Sequence, residues 1–352
     1  MKKVAVIGVV GIPACYGGFE SLVENLTLNN SQLIEYTVFC SAKSYPQKKQ
    51  KHNDANLKYI PIRANGIFSI FYDIWALLIC LFNRPDVILV LGVSGCIFLP
   101  IFRFFSSSYI VTNIDGLEWK RDKWKNWQKR FLKFSESIAV RFSDIVVCDN
   151  QAISDYVFSE YSISSETITY GGDHALQNIS SNTNNQSYVL GLCRIEPENN
   201  VEMILEAFTI SQKNLKFIGN WKSSNYGRSL YKKYHDFHNI DLIDPIYDIE
   251  DLYHIRKNCS IYVHGHSAGG TNPSLVEMMH FSIPIVAFDC IFNRNTTYGE
   301  AIYFESSNQL NEILENTSAQ NLIKIGNSMK KLATKKYTWK KISGEYERIF
   351  LR

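Results

Sequence analysis

The chain has 352 residues, 45% hydrophobic and 20% charged, which excludes a disordered or fibrous protein and allows two domains with separate cores. Its formal net charge is only +3, so no global grip on nucleic acid is expected and an anionic partner must meet a local patch. Eight cysteines (Cys15, Cys40, Cys80, Cys96, Cys148, Cys193, Cys259, Cys290) stand singly with no C-x-x-C pair, which points to reduced thiols in a cytoplasmic protein and against a disulfide framework or zinc site.

In chain order, the first half alternates helical stretches with the strand-like runs "VAVIGVV", "YTVFCS", "LKYIPIR", "VILVLGV", "YIVTNID", "DIVVCDN" and "TITYGG". The second half continues with "YVLGLCR", "LKFIGNW", "IDLIDPI", "SIYVHGH" and "IPIVAFD". Continuous apolar strands separated by helices predict parallel sheets covered on both faces, and two successive sets predict two Rossmann-like, doubly wound α/β domains. The polar segment 176–187 reads as the linker between a first domain over 1–175 and a second over 188–335. A strand-like run stands at the very start, so no signal peptide is expected. Two apolar stretches, Ile67–Phe82 and Val87–Phe102, fall short of the roughly 20 residues a spanning helix needs and read as a core helix and a buried strand. The stretch 336–352 has Tyr337, Trp339, Ile342, Tyr346 and Ile349 at helical spacing; it either completes the second domain or crosses back to the first.

Three motifs carry chemistry. In "GVVGIPACYGGFESLVENL" a strand, a Gly-rich loop and a helix follow one another, and Gly17 and Gly18 would let a phosphate approach the helix start or simply make a turn. The glycine spacing does not fit the dinucleotide pattern G-x-G-x-x-G. In "GLCRIEPENN", Arg194 follows a strand directly; its guanidinium fork suits a diphosphate, with a surface pair to Glu196 or Glu198 as the alternative. In "SIYVHGHSAGGTNPSLVEMM", a strand and a loop holding His264 and His266 lead through a glycine pair to a helix with Pro273 in its first turn. Glu277 there either complements the helix dipole or accepts hydrogen bonds from a ribose, while the Gly270–Asn272 amides hold phosphate. The two histidines read as structural or rim residues. With no Cys or carboxylate at ligand spacing and no D-x-D pair, no metal is expected.

Together "GIPACYGGFESLVENL", "DGLEWKRDKW", "VVCDNQAISDY", "YGGD", "RIEPENN" and "GGTNPSLVEMM" resemble the rhamnosyltransferase-like branch of the GT-B glycosyltransferases (family 4 type) of capsule and O-antigen assembly. The resemblance runs from residue 3 to the C-terminal "YTWKKISGEYERIF". It implies a GT-B fold whose two domains face one another across a cleft, retention of anomeric configuration, and no metal or cofactor. Residue by residue it implies a donor set of Gly17, Gly18, Arg194, Asn199, His266, Gly269, Gly270, Thr271, Asn272 and Glu277. Gly269 stands where the family has a glutamate that touches the donor sugar, and Asn199 where it has a lysine. Asp115 stands where many relatives have a histidine, a polar catalytic or sugar-orienting candidate on the acceptor side with a strand-end turn residue as the alternative; Arg194 is the second catalytic candidate.

The segment 119–133 ("WKRDKWKNWQKRFLK") holds seven Lys or Arg residues against one Asp, with aromatic residues between them. Trp119, Lys120, Arg121, Lys123, Trp124 and Trp127 are therefore candidates for contact with an acceptor or an anionic membrane, positions 124, 127 and 131 sharing one helical face. An ordinary solvated helix with its aromatic residues in the core is the alternative. The expectation is a hexosyl transferase, peripheral at the inner face of the cytoplasmic membrane. It would move a sugar from a nucleotide diphosphate to a polyprenyl-diphosphate-linked saccharide, with dTDP-L-rhamnose the donor suggested by the resemblance. A GT-B sugar-nucleotide isomerase and a non-catalytic sugar-nucleotide or lipid-binding module are the rivals. No nucleic-acid partner is expected.

Overall fold

The structure, a computed structural model, describes residues 1–15, 17–120, 124–179 and 187–352. Arg121 and Lys123 of the basic segment, and 180–186 of the expected linker, lie outside the described residues. The chain forms two compact units, one of residues 1–170 with 339–352 and one of residues 171–338.

The first unit carries the strands β1 (Lys2–Ile7), β2 (Ile34–Ser41), β3 (Lys51–His52), β4 (Ala55–Ile60), β5 (Val87–Leu91), β6 (Tyr109–Asn113), β7 (Ile145–Cys148) and β8 (Glu166–Thr167). Its helices are α1 (Gly18–Leu28), α2 (Phe68–Asn83), α3 (Leu99–Phe105), α4 (Asn126–Phe142) and α5 (Gln151–Tyr161). The sheet order is β3-β4-β2-β1-β5-β6-β7-β8, parallel except for the β3–β4 pair. Every residue of β5 and β7 is buried, as expected of parallel strands covered on both faces. Helices α2, α3, α4 and α5 pack side by side in that order, while Leu22, Val23 and Leu26 of α1 share a separate core cluster with residues of the C-terminal stretch 339–350.

The second unit has β9 (Val189–Leu192), β10 (Leu215–Ile218), β11 (Ile240–Ile243), β12 (Ile261–His264), β13 (Ile285–Phe288) and β14 (Ile302–Phe304), all parallel, in the order β11-β10-β9-β12-β13-β14. Its helices are α6 (Val201–Ile210), α7 (Asn225–Tyr234), α8 (Ile249–Asn258), α9 (Pro273–Met279), α10 (Ile291–Thr297), α11 (Ser307–Asn316) and α12 (Ala319–Lys336). The final helix, α13 (Trp339–Phe350), belongs to the first unit, where it packs on α1. Trp339, Ile342, Tyr346, Ile349 and Phe350 join that unit's core, whereas Tyr337, before the break, stays in the core of the second.

Three sequence expectations need correcting. The division falls after Tyr170, ahead of the 175/176 boundary, because the turn Asp173–Ala175 packs on α9: a Cβ on Gly172 would lie 2.7 Å from the Val276 carbonyl oxygen. The apolar stretch 87–102 is a short strand followed by a helical turn and α3, since Gly92 and Gly95 end the strand. Ile67–Phe82 is not a core helix. The inner face of α2 is buried on the sheet, but Phe68, Phe71, Trp75, Leu78 and Phe82 are exposed.

Candidate active site

In an open α/β sheet the crevice for a ligand lies beyond the carboxyl ends of the two strands where the winding direction reverses. In the second unit the chain runs from β9 outward to β10 and β11, then returns past β9 to β12, so the reversal lies between β9 and β12. The loops leaving these strands hold Arg194 and the Gly-rich stretch before α9. They are zipped together: Ser267 donates its amide to the Glu198 carbonyl at 2.9 Å, and Asn200 Nδ2 donates to the Gly265 carbonyl at 2.8 Å. A Cβ on Gly265 would collide with the Asn199 carbonyl, so glycine permits the approach.

Asn199 is buried. Its Nδ2 donates to the Arg194 carbonyl at 2.7 Å and its Oδ1 accepts from His266 Nδ1 at 2.8 Å. It thereby couples the two loops. His266 is likewise buried, and its carbonyl accepts from Asn293 Nδ2 at 2.8 Å. His264 is deeper still; burial first, and the neighbouring His266 second, push its pKa well below the usual value and keep it neutral. Arg194 is the exposed member, with 54% of its side chain accessible and Glu196 at 3.8 Å, beyond hydrogen-bond range. Gly269 has φ +116°, and a Cβ there would press on His266 Nε2 at 3.1 Å. Gly270 and Thr271 are buried, and Asn272 caps α9 by accepting from the Ser274 amide at 3.0 Å.

Glu277 sits in the second turn of α9, beyond the first-turn region in which the helix-dipole explanation applies. Its partners are Arg256 on α8, which bonds one carboxylate oxygen, and His174, whose Nε2 lies 3.3 Å from the other. Burial acts to raise the pKa of this carboxyl, but Arg256 and His174 outweigh it and hold it below the usual range. Sequence spacing offered no signal for Arg256, a partner brought in from another helix. His174 follows the "YGGD" glycines, whose role is the close packing on α9 described above.

In the first unit the reversal lies between β1 and β5, where the Gly8–Gly17 loop emerges. This loop is filled by the chain's own carboxylates. Glu20, itself buried, accepts from the Val10 amide at 2.7 Å and the Gly17 amide at 2.9 Å, and Glu24 accepts from the Ala14 amide at 3.0 Å. The Gly17 N–H is therefore taken by Glu20, and Gly18 opens α1 behind it. Glu20 was legible as the third helical residue after a small N-cap, the reach-back of a capping box. Asp115 follows β6 in the left-handed region (φ +62°), its amide donating to Asn113 Oδ1 at 3.0 Å, while Asn113 Nδ2 donates to the Tyr346 hydroxyl on α13 at 2.8 Å. The turn is thus built by its neighbours, and it leaves Asp115 partly exposed at the carboxyl edge of the sheet.

The basic segment is not one helix. Glu118–Lys120 form a 3-10 turn, Trp124 precedes α4 and donates from Nε1 to Glu118 Oε1 at 3.0 Å, and α4 begins only at Asn126. Trp124 therefore shares no helical face with Trp127, which is 58% exposed. Trp119 Nε1 donates to buried Glu136 at 3.1 Å, and Tyr156 and Tyr161 donate to the same carboxylate at 2.6 Å each. The Lys133 ammonium lies over all three aromatic rings, and Lys120 flanks Trp119. Among the described residues, no group of three His, Cys, Asp or Glu side chains is arranged to hold a metal ion.

Residues 175–326 match the family described as "Glycosyl transferases group 1", and residues 1–173 match a "Domain of unknown function (DUF1972)". The second unit is a group 1 glycosyltransferase domain, and the chain has the GT-B fold. No curated protein matches the sequence. Among solved structures, sucrose-phosphate synthase from Thermosynechococcus elongatus aligns over 99% of this chain and 98% of its own, with TM-score 0.82 and 13% identity. Anabaena HepE in complex with UDP-glucose aligns over 99% of each chain, with TM-score 0.75 and 12% identity. A glycosyltransferase from Rickettsia africae covers 99% of this chain and 97% of its own, with TM-score 0.71 and 11% identity. At these identities the likeness speaks for the fold alone.

Proposed function

We propose that this group 1 glycosyltransferase moves a hexosyl group, with L-rhamnose from dTDP-L-rhamnose the leading candidate, onto a polyprenyl-diphosphate-linked saccharide in surface-polysaccharide synthesis. Configuration is retained and no metal takes part. The observation that carries the donor assignment is the pair of zipped loops at the β9/β12 reversal, which hold exposed Arg194 and the Gly269–Asn272 turn at one sheet edge. Arg194 binds the diphosphate, aided by the amides of Gly270–Asn272, and stabilises the charge that develops as the glycosidic bond breaks. Asn199 and His266 position these loops. Glu277, kept ionised by Arg256 and His174, accepts from the ribose hydroxyls. In a front-face displacement the departing phosphate oxygen takes the acceptor's proton, while Asp115 serves the acceptor side and Gly17 and Gly18 allow the donor diphosphate to approach. The protein works peripherally at the inner face of the cytoplasmic membrane.

Incubation with a panel of nucleotide sugars, with and without a lipid-linked saccharide, tests this reading. Release of nucleoside diphosphate that depends on acceptor, with a product of unchanged anomeric configuration by proton NMR, is expected. A new sugar nucleotide formed without acceptor identifies an isomerase, and binding without turnover identifies a carrier module; either outcome overturns the proposal.

A further inference from the structure

The outward face of α2 departs from what water requires of a surface helix. Phe68, Phe71, Trp75, Leu78 and Phe82 follow one another at intervals of three and four, so they form one stripe, and their exposures range from 39% to 87%. Asp73 is the helix's only charged residue, and it is buried. On the adjoining α3, Ile101, Phe104 and Phe105 are exposed at 53%, 83% and 66%. A contiguous exposed apolar face of this kind marks a docking surface. Its surroundings say what docks. Exposed Arg63 and Arg84 bracket α2. Where α2 and α3 end, a groove of about 780 Å³ is lined by Lys2, Arg84, Arg103 and Arg352 beside Phe104 and Phe105. Arg103 and Arg352 are paired with Asp144 and Glu166, and Asp86, which also lines the groove, accepts from the Lys3 amide at 2.7 Å, so Lys2 and Arg84 give the groove its net positive charge.

We infer that the outer faces of α2 and α3 are a membrane-docking surface, on which aromatic side chains enter the acyl boundary of a bilayer while the groove at the helix ends takes anionic lipid phosphate. This rests on the reading that the protein acts at a membrane, and it moves the contact from the basic segment 119–133 to α2 and α3. No helix among the described residues is long and apolar enough to cross a membrane. With 16 residues α2 is roughly 24 Å long, short of a hydrocarbon core of about 30 Å, and its inner face is taken by the sheet. It lies in the interface plane, where Trp and Phe beside Arg are favoured.

The test is co-sedimentation of the full chain with phosphatidylcholine vesicles, with and without phosphatidylglycerol, at low and high salt. Wild-type protein is expected to bind the anionic vesicles, with a fraction that survives high salt because insertion is apolar. Phe71→Ser with Trp75→Ser alters exposed side chains, so melting should be unchanged while vesicle affinity falls roughly a hundredfold. Lys2→Gln with Arg84→Gln should remove only the salt-sensitive part, while Lys120→Gln with Lys125→Gln and Lys129→Gln should leave vesicle binding unchanged. If the double serine variant binds like wild type, the assigned surface is wrong although the membrane reading stands; if wild type ignores every vesicle, both fail. A concentration-dependent dimer by sedimentation equilibrium, lost in the double variant and formed without lipid, makes the stripe a self-association face and overturns the inference. Transfer to a water-soluble acceptor analogue should be unaffected by the double variant, and a wild type inert toward every nucleotide sugar sinks the transferase reading whatever the vesicles do.

Discussion

Replacing Glu277 by Gln separates ribose binding from scaffolding. The side chains of Glu277 and Arg256 are 13% and 9% exposed, so their pair is largely shielded from water. Truncating one partner of such a pair costs about 3–5 kcal/mol, because the other charge is left buried. Gln keeps an oxygen in place, which limits the loss to the difference between a charged and a neutral hydrogen bond, about 1–2 kcal/mol. That corresponds to a fall in Tm of roughly 2–8 °C for a domain of this size. If the carboxylate also accepts from ribose, donor Kd rises about tenfold, by the same 1–2 kcal/mol. The acid limb supplies a check of sign. The folded pKa of Glu277 is depressed, so its stabilisation is present above the unfolded carboxyl value and is lost as pH falls through the lowered folded value. The Gln variant should lack that part of the acid destabilisation. Calorimetric melting and titration with the donor read both effects on one protein. A lowered Tm with donor Kd unchanged would refute the ribose role and leave Glu277 as the partner of Arg256 and His174 only.

Arg194→Ala should leave Tm unchanged, since the side chain is more than half exposed, yet weaken donor binding and turnover together by about 2–3 kcal/mol; Lys should recover only part, and normal donor affinity in the Ala variant removes Arg194 from the diphosphate site. Burial pushes the Asp73 carboxyl up to about 8 from 3.8, against a weaker lowering by the Gly95 amide. The folded state therefore holds the extra proton across that window, and stability falls as pH rises through it. Asp73→Asn should gain on wild type in melting temperature from pH 5 toward pH 8, and an equal difference at both pH values refutes the assignment.

The alternating apolar runs and helical stretches were enough to specify two doubly wound units, because a parallel strand covered on both faces must be apolar throughout. The Gly269–Asn272 turn and the Arg194 loop were legible for a related reason: residues at strand ends next to helix starts lie at the carboxyl edge by connectivity alone. What spacing cannot convey is which side chains meet across elements. Arg256 reaches Glu277 from α8, Asn199 joins His266 across two loops, and Glu20 folds back on the Gly17 amide that a glycine pattern had left open for phosphate. The break after Tyr337 returned α13 to the first core, a choice between two equally apolar surfaces that helical periodicity could not make. The stretch Ile67–Phe82 is apolar on every side, so composition alone read it as core. Only the tertiary structure decided that the sheet buries one of its faces and leaves Phe71, Trp75 and Phe82 outside, because burial depends on which neighbours arrive and not on the helix itself.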